Sequence, residues 1–179
     1  MAGGKSSRMQ QDKALLPFGK YNTLAEYQYR RLSSYFEDIF ISAKNNKFDF
    51  DVKVIEDKYM ESSPLIALVS IFETIEEDEC FILSVDIPFI SIQTIKKIYK
   101  EAKSENNVII AESSNGLEPL CGIYRRSILN TAKKLLQEDR HRLQSLLKSL
   151  NTQKVKINAD EFMNLNHPSD YEDAKRKLN

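Results

Sequence analysis

Two glycines, Gly3 and Gly4, stand at the head of a run rich in cations and hydroxyls. Lys5, Arg8 and Lys13 fall within nine residues of each other, with Ser6 and Ser7 between them. Glycine lets the backbone approach a ligand without a Cβ in the way. Successive backbone N–H groups of such a loop can bind phosphate oxygens. That mixture suits a polyphosphate, although a solvated basic terminus has the same composition. Gly4-Lys5-Ser6 also matches the end of a Walker A loop, but Arg8–Lys13 is polar and leads to Pro17, where a Walker A loop would enter a helix.

Two acids follow strand-like runs. Asp86 comes directly after Cys80–Val85 (CFILSV), which carries no charge. A carboxylate there is placed for a hard cation such as Mg²⁺, which binds through one or two carboxylates plus phosphates. It could equally cap the helix expected from Ser91. Asp57 follows the strand Val52–Ile55. A carboxylate at that exit can accept from guanine N1–H and the exocyclic amine, a donor pair the other bases lack; an ordinary loop Asp would read the same.

Ser42 ends another strand run, Asp38–Ala43. Gly122 lies inside a strand pattern, which hints at a bulge or a close approach. Asn164 and Asn166 offer donors and acceptors ahead of a Pro168-Ser169 helix start, an arrangement that turns also favour. His141 lies in a basic turn, and neither it nor His167 has the partners of a triad or a zinc site.

The elements that must carry these residues alternate. Helices are expected over Leu24–Phe36, Pro64–Ile75, Ser91–Lys103, Arg126–Glu138, Leu143–Leu150 and Ser169–Leu178. Strands are expected over Asp38–Ala43, Val52–Ile55, Cys80–Val85, Val108–Ala111, Leu120–Tyr124 and Lys154–Ile157. This alternation predicts an α/β three-layer fold with a mostly parallel sheet. In open sheets of that kind, ligands bind beyond the carboxyl ends of the strands. No repeat or linker divides the 179 residues, so one domain is expected.

Composition narrows the function. Twenty-six basic and twenty-six acidic residues give no net charge, and hence no general pull toward nucleic acid or membrane. Residues 1–90 carry −5 (10 basic, 15 acidic) and residues 91–179 carry +5 (16 basic, 11 acidic), a weak fit to an anionic second substrate. The longest charge-free apolar stretch, Ser62–Phe72, is too short to span a bilayer. Cys80 and Cys121 are too few for a disulfide scaffold and lack metal-ligand spacing; with no secretory h-region, a cytoplasmic protein is expected.

Residues 2–18, AGGKSSRMQQDKALLPF, resemble the signature LAGGxSxRMGxDKaLLp of the molybdenum cofactor guanylyltransferase family (MobA-type). Gln10 replaces a glycine of that signature. Asp86-Ile87-Pro88 is similar to the family's D-x-P. The run from Val54 to Ala67 is similar to its vxD…GPLxG segment, with Ser63 and Ala67 in place of glycines. Pro119–Tyr124 and Asn164–Asp170 are similar to its later motifs, with His167 replacing a threonine.

The resemblance implies a Rossmann-like nucleotidyltransferase fold that joins GTP to molybdopterin (molybdenum cofactor), releases pyrophosphate and requires Mg²⁺. It implies Asp86 as metal ligand, and Arg8, Lys13 and Asp86 as catalytic residues. Met1, Ala2, Gly3, Gly4, Lys5, Lys13, Ser42, Asp57 and Asp86 would bind GTP. Gly122, Asn164 and Asn166 would face the second substrate. The nucleotide part would span about 1–100 and the second-substrate part about 101–179. Molybdoenzymes that receive the cofactor are further expected partners. Two alternatives stay open: a cytidylyltransferase on the same cofactor, and a nucleotide or cofactor carrier without turnover. Because Met1 stands at the end of the signature's first strand, that strand is expected to be missing and the chain to be a shortened form.

Overall fold

The structure, a computed structural model, describes residues 1, 2 and 11–178. Its strands are β1 (Phe40–Ala43), β2 (Lys53–Glu56), β3 (Glu79–Leu83), β4 (Val108–Ser113), β5 (Gly116–Arg125) and β6 (Thr152–Lys156). Its helices are α1 (Leu24–Leu32), α2 (Pro64–Phe72), α3 (Ile92–Glu101), α4 (Leu129–Gln137), α5 (Leu143–Lys148) and α6 (Pro168–Leu178). The helix starts follow the capping residues. Thr23 Oγ1 accepts from Glu26 N at 3.0 Å, Ser63 Oγ from Ile66 N at 3.2 Å and Ser91 Oγ from Thr94 N at 3.0 Å. Pro64 occupies the first turn of α2, where its missing N–H costs nothing.

β1 and β2 pair in parallel, and the larger sheet runs β3-β5-β4-β6. β5 is antiparallel to both β3 and β4, whereas β4 and β6 are parallel. Only β5 runs against the rest, so the sheet is mostly parallel as expected. Its reversal comes from a tight turn at Ser114 and Asn115, closed by Gly116 at φ +122°, a backbone state that favours glycine.

Alternate residues of one strand feed two cores, which makes the three layers. Val108 and Ile110 of β4 pack with Leu65, Leu68 and Val69 of α2 and with Leu135 of α4. Ile109 and Ala111 pack on the opposite face with Ile95 and Ile98 of α3. Gly122 of β5 crosses β4 where their register shifts. A Cβ there would lie 2.2 Å from the Ile109 carbonyl oxygen and 2.7 Å from Ile110 Cα. The close approach suggested by the sequence is therefore an approach of backbone to backbone.

The two sheets are bridged by Met1 and Ala2. Ala2 N donates to Ser42 O at 2.8 Å, Met1 N to Leu83 O at 2.7 Å, and Val85 N to Met1 O at 3.0 Å. This is the pattern of a residue lying parallel to β3 opposite Ser84. Behind Met1, β1 and β3 face each other across a cavity of about 300 Å³, lined by Ile41 of β1 and Ile82 of β3 among others. The run Cys80–Leu83 carries no charge, yet Cys80, Phe81 and Leu83 are only half-buried. One edge of β3 borders that cavity.

Candidate active site

The site lies at the carboxyl ends of the strands. Asp12 opens a single 3₁₀ turn, Lys13–Leu15, and its Oδ1 accepts from Ala14 N at 3.0 Å. Ala14 is buried with Ala2, Ala25 of α1 and Ile41 of β1. The turn is thereby pinned against the sheet, and Lys13 projects from it. Lys13 Nζ donates to Asp86 Oδ2 at 3.2 Å and to Asn166 Oδ1 at 2.8 Å. Three residues that the sequence singles out separately, spread over 153 positions, meet at one ammonium group.

Asp86 is held from two further sides. Its Oδ1 accepts from Ser84 Oγ at 2.5 Å, and its backbone carbonyl accepts from Leu165 N at 2.9 Å. The second contact seats the C-terminal loop over the strand end. Helix capping near residue 91 is done by Ser91, which leaves the Asp86 carboxylate to the site. A second carboxylate, Glu118 of β5, lies in the field of Asp86. Burial pushes the Glu118 carboxyl up, a hydrogen bond from Ser113 opposes this, and the Asp86 charge adds to the rise. Hard oxygen donors of this kind fit a divalent cation and suit no soft metal.

Asn166 is oriented by the start of α6. Its N–H and that of His167 both donate to Asp170 Oδ2, at 2.9 and 2.7 Å. Asn164 is half-buried in the same loop. His167 itself stays exposed at this turn.

At the other end of the site, Ser42 Oγ and Asp57 Oδ1 are buried and, among the described residues, have no hydrogen-bond partner. An unpaired buried acceptor costs about 1–3 kcal/mol, so such a pair points to a ligand that satisfies it. Asp57 sits just past β2, with its N–H donating to Ala43 O at 3.0 Å. Burial pushes its carboxyl above the usual carboxylate range, and Lys44 partly offsets this.

His141 is held by a different set of residues. Its Nε2 is 3.2 Å from Glu61 and 3.0 Å from Asp139, while its Nδ1 is 3.4 Å from the α2 cap Ser63. Gly3, Gly4, Lys5 and Arg8 fall outside the described residues; Met1 and Ala2 before them and Asp12 after them are placed. The sequence singled out neither Ser84 nor Lys47. Lys47 donates to the Ala2 carbonyl oxygen at 3.2 Å and to the Asp12 carboxylate. Its only signal was a cluster of polar residues after a strand.

Residues 1–155 match the family described as MobA-like NTP transferase domain. The chain is 34% identical over 181 residues to a molybdenum cofactor guanylyltransferase of Campylobacter jejuni subsp. doylei, covering 99% of this chain and 94% of that protein. A protein of the same name from Helicobacter pylori (strain P12) is 34% identical over 188 residues, covering 99% and 90%. Among solved structures, the fold matches molybdopterin-guanine dinucleotide biosynthesis protein A of Archaeoglobus fulgidus with a TM-score of 0.83 at 18% identity, over 98% and 95% of the two chains. It also matches Rv0371c of Mycobacterium tuberculosis in complex with manganese, with a TM-score of 0.64 at 13% identity, over 94% and 93%.

Proposed function

The chain belongs to the MobA-like NTP transferase family, and from that membership we propose that it is a molybdenum cofactor guanylyltransferase. It transfers GMP from GTP to molybdopterin (molybdenum cofactor), giving the guanine dinucleotide form and pyrophosphate. A phosphate oxygen of the pterin attacks the α-phosphorus of GTP as the bond to pyrophosphate breaks. The attacking phosphate is already an anion near neutral pH, so no general base is needed. Positioning and charge neutralisation then supply the rate. Residues 1–179 form one nucleotidyltransferase domain in this reading, with the nucleotide held by about 1–100 and the pterin by about 101–179.

The observation that carries the proposal is the Lys13 ammonium between Asp86 and Asn166. In this reading the ammonium lies where the nucleotide-side and pterin-side residues would meet. Lys13, with Arg8, Lys5 and the amides of Gly3 and Gly4, would hold the triphosphate. Ser42 and Asp57 would receive the base: ionised Asp57 accepts from guanine N1–H and the exocyclic amine. Asp86, with Glu118 nearby, would hold Mg²⁺. When bound, the ion would neutralise phosphate charge. Asn164 and Asn166 would orient the pterin. Gly122, whose backbone packs closely on β4, would face the second substrate with them.

The test is pyrophosphate release by the purified protein with molybdopterin, Mg²⁺ and either GTP or CTP. Release with GTP and little with CTP is expected. A preference for CTP, or binding of GTP with no release, would overturn the proposal.

A further inference from the structure

We propose that Gln28 and Arg31 of α1 are positioning residues for the Asp86 carboxylate, acting by gripping the carbonyl groups of Ile87 and Ile90 that follow it. This rests on the reading of Asp86 as the metal ligand. Residues 84–91 link β3 to α3, so Asp86 lies outside both strand and helix. Pro88, two residues on, has no N–H to offer. Gln28 and Arg31 stand three apart on one face of α1. Gln28 is buried, and its Nε2 donates to Ile87 O at 3.2 Å. Its Oε1 accepts from Arg31 Nε at 3.2 Å and from Arg31 Nη2 at 2.6 Å. Arg31 Nη1 in turn donates to Ile90 O. The amide orients the guanidinium, and the two side chains form one clamp with two prongs.

The clamp answers a need that the fold creates. Ile87 and Ile90 are 2% and 0% exposed and pack with Ile95 and Ile98 of α3, so their carbonyl groups have to find partners inside the protein. Both partners come from 59 positions away. The C-terminal segment holds the same stretch elsewhere. Leu165 N donates to Asp86 O at 2.9 Å, and Glu161 Oε2 accepts from Ser91 N at 2.7 Å. The backbone that carries Asp86 is therefore set from α1 as well as from the last loop. A carboxylate that must meet a cation at a fixed point loses effect when its backbone can shift, so groups outside the ligand shell bear on metal binding.

Gln28→Leu and Arg31→Lys test this; the lysine keeps the charge but loses the fork that engages Gln28 and Ile90 together. Val69→Ala of α2, in the core on the opposite face of the sheet, controls for lost stability alone. Hydrogen exchange read by mass spectrometry in the nucleotide-free protein reports on the segment directly. Exchange over residues 84–91 should quicken several-fold in both clamp variants and stay at the parental rate in Val69→Ala. The free Mg²⁺ concentration that half-saturates pyrophosphate release should rise about tenfold in Gln28→Leu, the lower end of what partners outside a ligand shell contribute, and stay put in Val69→Ala. Parental exchange over 84–91 in both clamp variants would overturn the proposal. Quickened exchange with an unchanged Mg²⁺ requirement would also overturn it, since the pair would then serve the fold alone. Absence of pyrophosphate release from the parent would instead strike the reading of the site, and the exchange rates would still decide whether the pair holds the segment.

Discussion

Lys13 Nζ stands 2.8 Å from Asn166 Oδ1, so a side chain from the first turn is positioned by one from the last loop. The contact converts two distant motifs into one site. Lys13→Met is expected to lower kcat by about 10²–10³-fold, the scale for removing one charge-stabilising group. Asn166→Ala leaves the ammonium but frees it, so a loss nearer tenfold is expected, with the KM for GTP little moved. Steady-state kinetics of both variants check this. Equal losses in the two would mean that Asn166 acts on its own account.

The base end of the site has a pH signature. Burial raises the Asp57 pKa, and only the ionised form can accept both guanine donors. GTP affinity should therefore fall on acidification at a higher pH than an ordinary aspartate would give, and stay level above it. Asp57→Asn should remove the pH dependence and weaken GTP by about 100-fold, as expected for losing charged acceptance of two hydrogen bonds. Titration calorimetry across pH, with ATP as the control, reads both effects.

Met1 gives a stability prediction. Its ammonium is buried and donates to Leu83 O, and desolvation lowers its pKa from 8.0 to about 6. The folded state thus disfavours the charged form. The cost is absent above pH 8, grows as pH falls, and is complete below about 6. At ~1.4 kcal/mol per unit this amounts to about 3 kcal/mol, so Tm should drop between pH 8 and 6. Five apolar residues fused ahead of Met1 would replace the amine by an amide and fill roughly 17 Å of the cavity between β1 and β3. That fusion should raise Tm and flatten its pH slope. A fusion with no effect would show that the cavity does not take a strand.

The sequence made Asp86 legible because a lone acid after a charge-free strand is conspicuous, and Lys13 because it closes a dense cationic run. Alternation of elements was equally plain. Other features depended on tertiary placement. The direction of β5 turned on Ser114-Asn115, a two-residue turn before Gly116 hidden inside a polar stretch between two strand runs. Gly122 signalled a close approach but not to what; the answer was β4 backbone. Lys47 sits among other lysines and asparagines without any period, and only the fold brings it to Ala2 and Asp12.

The most direct measurement follows the label from α-³²P-GTP in the presence of molybdopterin and Mg²⁺, with the parent protein and with folded Asp86→Ala. The parent should carry the label into the guanine dinucleotide cofactor and release unlabelled pyrophosphate, while Asp86→Ala forms product slower by orders of magnitude. Near-parental labelling by the folded Asp86→Ala variant, or no labelled cofactor from the parent, would contradict the account.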